Sequence, residues 1–378
     1  MEKCLLSLGV VMDEIDDDPR KALPVARELG LESVELGKVL GKSVADLTAA
    51  EVESVRGLLR QYGIRVSMVS TGFLKACRVD LVPDGDFSAS PDFAQHMAVF
   101  ERAAMMAKAF DCGLVRTFSF RWPHMSGLGN PSPRLPRGGG IPAKTLDLIR
   151  NGLSIPARMA EREGLSMGLE NVRSCYANTG ENLRIVIDAV GSPALKAVWD
   201  PANSFVSGGV DYPDGYEAVR PHMVHVHFKD ARVRDAASGL TSWECIGEGE
   251  VRLRDELAAF IRDGYSGVVS GNSLAAPGRL QRHAGGGGRI AAFANGSRGP
   301  RGRLLTARLM GKLDSRGSPF NREGPTGRNP LCLDTTRQEV RDVCSEYAGV
   351  AHKQPGCSSH RGRFPCRTAA RADARDHR

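Results

Sequence analysis

The sequence predicts an α/β protein, a (β/α)8 barrel over residues 1–270, followed by an Arg- and Gly-rich tail over residues 271–378. Three observations carry this. Through the first 270 residues short apolar runs alternate with amphipathic stretches, as in a parallel sheet wound with helices. Five of the helical stretches stop at a Gly just before the next strand: Gly30, Gly63, Gly113, Gly164 and Gly264. A Gly there can take the left-handed backbone that ends a helix and returns the chain to the sheet. Beyond residue 270 this order stops.

In chain order the strand runs are 4–11, 33–37, 65–70, 114–120, 166–171, 197–201, 223–228 and 267–270. Between them, 19–29, 49–62, 93–110, 143–163, 179–190, 212–219 and 251–263 carry apolar residues three and four apart, the helical spacing. The strict alternation suits a closed barrel better than an open doubly wound sheet, because no GxGxxG turn follows the first strand. Residues 124–140, rich in Pro and Gly, join strand four to its helix. In a barrel they lie on the C-terminal face of the strands, where long loops commonly cover a site, although a variable surface insertion has the same composition.

Charge divides the chain at the same place. The net charge is +7, but residues 271–378 hold 20 Lys and Arg against 8 Asp and Glu, leaving 31 basic against 36 acidic residues before them. The basic balance therefore belongs to the tail. No run of 18 apolar residues exists, so no membrane span is expected. The N-terminal residues lack a signal-peptide pattern, and a soluble cytoplasmic protein is expected. The nine Cys are scattered without a CxxC pair, so neither a zinc ribbon nor a disulfide framework is indicated, and free thiols are expected.

Polar residues gather at the ends of three consecutive strands whose earlier positions are apolar. Strand five ends Gly168-Leu169-Glu170-Asn171, strand six Trp199-Asp200-Pro201-Ala202-Asn203, and strand seven His225-Val226-His227-Phe228-Lys229-Asp230. Neighbouring strand ends meet on one rim of a barrel, so Glu170, Asp200 and a His would converge. Two carboxylates and an imidazole make a plausible site for one divalent metal ion, Mn2+, Mg2+, Co2+ or Zn2+. Either His fits, since residues 225 and 227 share a strand face. Singly, each residue has a structural reading: a capped turn, an Asp-Pro turn opener, a hydrogen-bonded core His.

The set GLEN, WDPAN and HVHFKD, with IGEGEV at 246–251 and GYSG at 264–267, resembles the xylose isomerase-like TIM barrels over residues 4–270. That superfamily holds sugar epimerases, sugar-phosphate isomerases, inosose dehydratases and endonuclease IV-type nucleases. The resemblance implies that Glu170, Asp200 and His227 are metal ligands and that His225 is a neighbour. It argues against DNA repair, because the nucleases carry a ligating His three residues after the strand-six Asp, where this chain has Asn203. It implies an isomerase or epimerase of a small sugar or sugar phosphate acting through an enediolate, with Glu170 as base and Lys229 holding an oxyanion or phosphate. Asn203, His225, Glu35 and Arg116 are assigned to substrate contact; buried ion pairs or packing would explain Glu35 and Arg116 equally. The runner-up is a metal-dependent dehydratase of a cyclic polyol; the non-enzyme alternative is an inactive barrel with a basic nucleic-acid-binding tail. The expected partner is a small sugar or polyol, with no membrane or nucleic-acid partner and homo-oligomerisation left open.

The pattern breaks at strand eight. The family ends it in a metal-ligating Glu, commonly Leu-Glu-Thr-His, whereas this chain reads Val268-Val269-Ser270-Gly271-Asn272-Ser273-Leu274, with no carboxylate until Asp314. If Gly-Asn-Ser-Leu is encoded GGA AAC TCA CTG, reading one base later gives Glu-Thr-His-Trp, the family continuation. Residues 271–378 are therefore read as a frameshifted, disordered tail, with the eighth helix lost. An Arg-rich arm binding a polyanion is the functional alternative, though it lacks RGG periodicity and aromatic interleaving. The chain as written is expected to be poorly stable and nearly inactive.

Overall fold

The computed structural model describes residues 6–123, 140–235, 240–271 and 342–343. Eight parallel strands close into a barrel: β1 (Ser7–Val11), β2 (Ser33–Leu36), β3 (Arg65–Val69), β4 (Leu114–Thr117), β5 (Ser166–Glu170), β6 (Leu195–Trp199), β7 (Met223–Phe228) and β8 (Val268–Gly271). The order around the barrel is β1-β8-β7-β6-β5-β4-β3-β2. β8 closes it, with Ser270 opposite Gly9 on one side and opposite His227 on the other. The barrel is thus complete in its strands; the tail and the loss of the eighth helix that the sequence predicts lie outside the described residues, apart from 342–343.

The helices are α1 (Pro19–Glu28), α2 (Ala49–Tyr62), α3 (Pro91–Ala109), α4 (Ala143–Glu163), α5 (Gly180–Val190), α6 (Pro201–Val206), α7 (Tyr216–Val219) and α8 (Leu253–Arg262). Local chemistry sets their ends. α2 starts in a capping box, with Thr48 and Glu51 each accepting from the other's backbone N–H, which satisfies two donors left without helical partners. Gly30, Gly63, Gly164 and Gly264 take left-handed φ between 62° and 70°, as the sequence pattern predicts. Gly113 does not; after α3 the left-handed residue is Asp111, φ 54°, a residue whose short polar side chain tolerates that region better than most. Gly168 is required by space: a Cβ there would lie 2.6 Å from Val198 Cγ2.

Three features depart from the expected pattern. The helix expected over 212–219 is a π-type turn over Asp211–Gly215 leading into α7, as Pro213 lacks the N–H that a regular helix needs. α6 was hidden because six residues are too few to show periodicity, although Asp200-Pro201 supplies its N-cap and first residue. Two antiparallel hairpins, Lys38–Val39 with Lys42–Ser43 and Asp230–Asp235 with Leu240–Glu244, extend from the C-terminal ends of β2 and β7. Cys77, Cys112 and Cys175 are free and buried, but Cys245 is disulfide-bonded, which corrects the free-thiol expectation at that position.

Outside β6 and β7 an aromatic cluster fixes the wall that bears the site. Phe260 of α8 packs on Phe228 at 6.0 Å and on Tyr216 at 5.5 Å between ring centroids. Beside it the indole N–H of buried Trp199 lies 3.2 Å from each carboxyl oxygen of Glu256, also on α8. Burial pushes the Glu256 carboxyl well above its ordinary range, against the pull of the indole hydrogen bond. Among the described residues no helix is long and apolar enough to cross a membrane.

Candidate metal centre

At the C-terminal mouth, Glu170, Asp200 and His227 converge from β5, β6 and β7, each offering a ligand atom within 4.8 Å of the others. All three are buried. The fold holds each of them by specific hydrogen bonds. Asn171 donates from its amide to the Asp200 carbonyl and accepts from the Asp200 N–H, both at 2.8 Å, tying strand end five to strand end six. Asp200 caps α6 by accepting the Asn203 N–H at 2.8 Å. The Asn203 amide donates to Asp200 Oδ2 at 2.9 Å and to the Asn171 carbonyl at 2.8 Å. Lys229 Nζ reaches Asp200 Oδ2 at 2.9 Å and lies 4.7 Å above the Trp243 ring centroid.

Arg116 donates to Glu170 Oε2 at 3.2 Å and to the carbonyls of Ser70 and Thr71. Burial works against ionisation of Glu170, but His227, Arg116 and Lys229 outweigh it and hold the carboxyl far below its usual range. Asp200 moves the other way: burial, helped by the charge of Glu170, pushes it up against the pull of Lys229.

His227 lies between two carboxylates. Its Nε2 is 3.0 and 3.1 Å from the oxygens of Glu35, and its Nδ1 is 3.3 Å from Glu170 Oε1. Burial alone would favour neutral imidazole, but Glu35 and Glu170 push its pKa up to about 10. A single proton on Nδ1 thus stands where the carboxylates of β5 and β6 converge. The donor set fits a divalent cation there. Loss of the Nδ1 proton leaves an imidazole whose Nε2–H still donates to Glu35, and this fixes the tautomer that directs the Nδ1 lone pair at Glu170 and Asp200.

Glu35 is buried, accepting from Ser70 Oγ at 2.7 Å and lying 2.8 Å from His225 Nε2. Burial opposes its ionisation, but His227 and His225 hold it well below the ordinary range. His225, whose pKa burial lowers, also meets Ser270 Oγ at 3.2 Å. Glu35, His225 and His227 form a second group of possible ligands that shares His227 with the first. A third group, Cys77, Asp92 and His96, braces the segment after β3, where His96 Nδ1 accepts the N–H of Leu74, a residue at φ 62°.

Sequence reasoning brought together the right strand ends but missed the supports. Asn171 was in the quoted motif without a role. Asp230 collects the backbone N–H groups of Ala231, Gly247, Gly249 and Val251 at 2.8 to 3.2 Å, which ties the IGEGEV segment to the end of β7. The acidic residue followed by paired glycines was the available signal. Lys75, on the segment after β3, has no counterpart in the motifs.

The chain is thus a closed (β/α)8 barrel that brings two carboxylates and an imidazole together on adjacent strand ends. The chain belongs to the xylose isomerase-like TIM barrel family, whose model matches residues 23–278. No protein of curated function matches the sequence. Among solved structures the chain is similar to the probable 3-DHS dehydratase AsbF of Bacillus anthracis, with 19% identity, TM-score 0.52, and coverage of 70% of this chain and 92% of that one. It is similar to a D-allulose 3-epimerase from Methylomonas sp., with 17% identity, TM-score 0.50, and coverage of 70% and 84%. It is also similar to an L-ribulose 3-epimerase, with 13% identity, TM-score 0.58, and coverage of 93% and 100%. At these identities the likenesses establish the fold.

Proposed function

We propose that the chain is a divalent-metal-dependent isomerase or epimerase of a small sugar or sugar phosphate. The observation that carries this reading is the convergence of Glu170, Asp200 and His227 within 4.8 Å, with the far nitrogen of His227 bonded to Glu35. Glu170, Asp200 and His227 would hold the ion. When bound, a divalent cation polarises adjacent carbonyl and hydroxyl oxygens and stabilises the charge of an enediolate. Glu170 accepts the proton from the carbon beside the carbonyl. Arg116 keeps it ionised and therefore a weak base, sufficient only for a C–H made acidic by its neighbours. Lys229, fixed between Asp200 and Trp243, supplies a compact positive charge for an oxyanion.

Returning the proton to the neighbouring carbon completes isomerisation, whereas inverting one carbon needs a second acid on the opposite face. The described end of β8 offers Ser270 and Gly271 and no carboxylate. We read residues 271–378 as a tail out of frame with the barrel, so that activity of the chain as written is low. The test is deuterium incorporation from D2O into ketopentoses and ketohexoses with Mn2+ present. Exchange that disappears on chelation and in Glu170→Gln supports the reading, and its absence from every ketose tested with the metal-loaded chain refutes it. Product of unchanged mass indicates an isomerase, and loss of water a dehydratase.

A further inference from the structure

Cys77, Asp92 and His96 form a group that shares no residue with the centre at the barrel mouth, and each offers a ligand atom within 4.8 Å of the other two. Sequence and fold both contribute to it. Ser90 accepts the Phe93 N–H and Pro91 opens α3, so Asp92 and His96, four residues apart near its start, leave one face of the helix. The segment after β3 carries Cys77 to that face, where the Cys77 carbonyl accepts the Arg121 N–H at 2.7 Å. Asp92 is exposed, His96 half-buried and Cys77 buried, so an ion can enter from solvent and reach the sulfur.

Thiolate, imidazole and carboxylate together suit Zn2+, whereas Mn2+ and Mg2+ favour oxygen ligands. At ordinary zinc bond lengths such ligand atoms stand about 3.3–3.8 Å apart, so the group has to contract by no more than about 1.5 Å. Burial, and then the Asp92 carboxylate to which the thiol hydrogen-bonds, push Cys77 up, so the sulfur rests protonated. Burial lowers the pKa of His96 against the pull of Asp92, so the ring is neutral. Forming a metal–sulfur bond therefore sends the Cys77 thiol proton to solvent.

His96 also links this group to the backbone of the segment after β3. Its Nδ1 accepts the Leu74 N–H at 3.1 Å, and Leu74 is a fully buried residue held at φ 62°, a conformation costly for its side chain. A neutral imidazole has one nitrogen with a free lone pair. A metal on Nδ1 takes that lone pair. A metal on Nε2 moves the ring proton to Nδ1, where it meets the Leu74 N–H donor to donor. In both cases Leu74 loses its acceptor.

We propose that Cys77, Asp92 and His96 form a second metal site, selective for a thiophilic divalent cation of the Zn2+ type, and that filling it releases the Leu74 N–H from His96. The site stands independently of the function proposed for the barrel mouth, since it shares no ligand with Glu170, Asp200 and His227.

The test titrates Co2+, a coloured substitute for Zn2+, into the full chain with its thiols reduced. Co2+ held by Glu170, Asp200 and His227 has no sulfur ligand, so a thiolate-to-cobalt charge-transfer band reports a cysteine site. The band should bleach when Zn2+ is added and persist in excess Mn2+. Cys77→Ser, whose hydroxyl can still donate to Asp92, should abolish the band, which separates this site from the other thiols of the chain. Asp92→Asn and His96→Gln should each weaken the Co2+ affinity read from the band by at least about tenfold. Circular dichroism verifies folding; if Cys77→Ser does not fold, the other two variants decide. Hydrogen exchange at Leu74, followed by mass spectrometry of peptides that cover it, should quicken about threefold to tenfold when Zn2+ is added to the parent, and stay unchanged in Cys77→Ser. No band in the parent, a band that survives in Cys77→Ser, or an affinity unchanged in either Asp92→Asn or His96→Gln overturns the site. Exchange at Leu74 that does not quicken overturns the release.

Discussion

Glu35→Gln is the sharpest probe of how the centre is built, because it removes the charge that meets Nε2 of His227 while leaving Glu170 and Asp200 in place. Glu35 is fully buried and accepts through Oε1 from His225 and His227, at 2.8 and 3.0 Å, and through Oε2 from Ser70 at 2.7 Å. Gln keeps the volume and one oxygen. Facing that oxygen to the two His puts its amide at Ser70, whose hydroxyl can turn to accept, so the fold should survive. What is lost is the charge that polarises the Nε2–H of His227. A hydrogen bond to a charged group contributes about 1.5–3 kcal/mol. Its loss should weaken Mn2+ binding about tenfold to a hundredfold. The assay is calorimetric Mn2+ titration of the full chain, with circular dichroism to verify folding. Folded Glu35→Gln that binds Mn2+ within about twofold of the parent would refute the assigned role of Glu35 in orienting His227.

Four further outcomes follow from the same geometry. The pKa of His227 is raised in the folded chain from 6.5 to about 10, so in chelator its stabilising contribution is complete below pH 6.5 and is lost as pH rises through 10. The thermal midpoint should fall over that window, and His227→Asn should flatten the fall. Asp230→Asn turns an amide toward two of the four backbone N–H groups the carboxylate now accepts. It should lower unfolding free energy in urea by about 3–6 kcal/mol, and a change under about 1 kcal/mol would contradict this account of the IGEGEV segment. Glu256→Gln, which keeps an acceptor for the Trp199 indole N–H, should cost little, whereas Glu256→Ala leaves that N–H without its acceptor and should cost at least about 1–3 kcal/mol by the same measurement. Restoring the alternative frame after Ser270, which reads Glu-Thr-His-Trp, should tighten Mn2+ binding, and unchanged Mn2+ affinity would count against the tail being out of frame.

The order of strands and helices was legible in the sequence because periodicity of apolar residues is a local property. All eight strand runs overlap an observed strand, and the glycines that end helices are local as well. The convergence of Glu170, Asp200 and His227 was legible once the barrel was inferred, since adjacent parallel strands bring their ends to one rim. In the sequence, composition and motif both change after Ser270.

Tertiary structure alone decided which way the polar groups face. Glu35 and Arg116 looked alike as strand residues, yet one meets the two His and the other Glu170. No spacing rule could indicate that Nδ1 and Nε2 of His227 meet carboxylates from β5 and β2, because β2 and β7 are joined only by the closing of the sheet through β8 and β1.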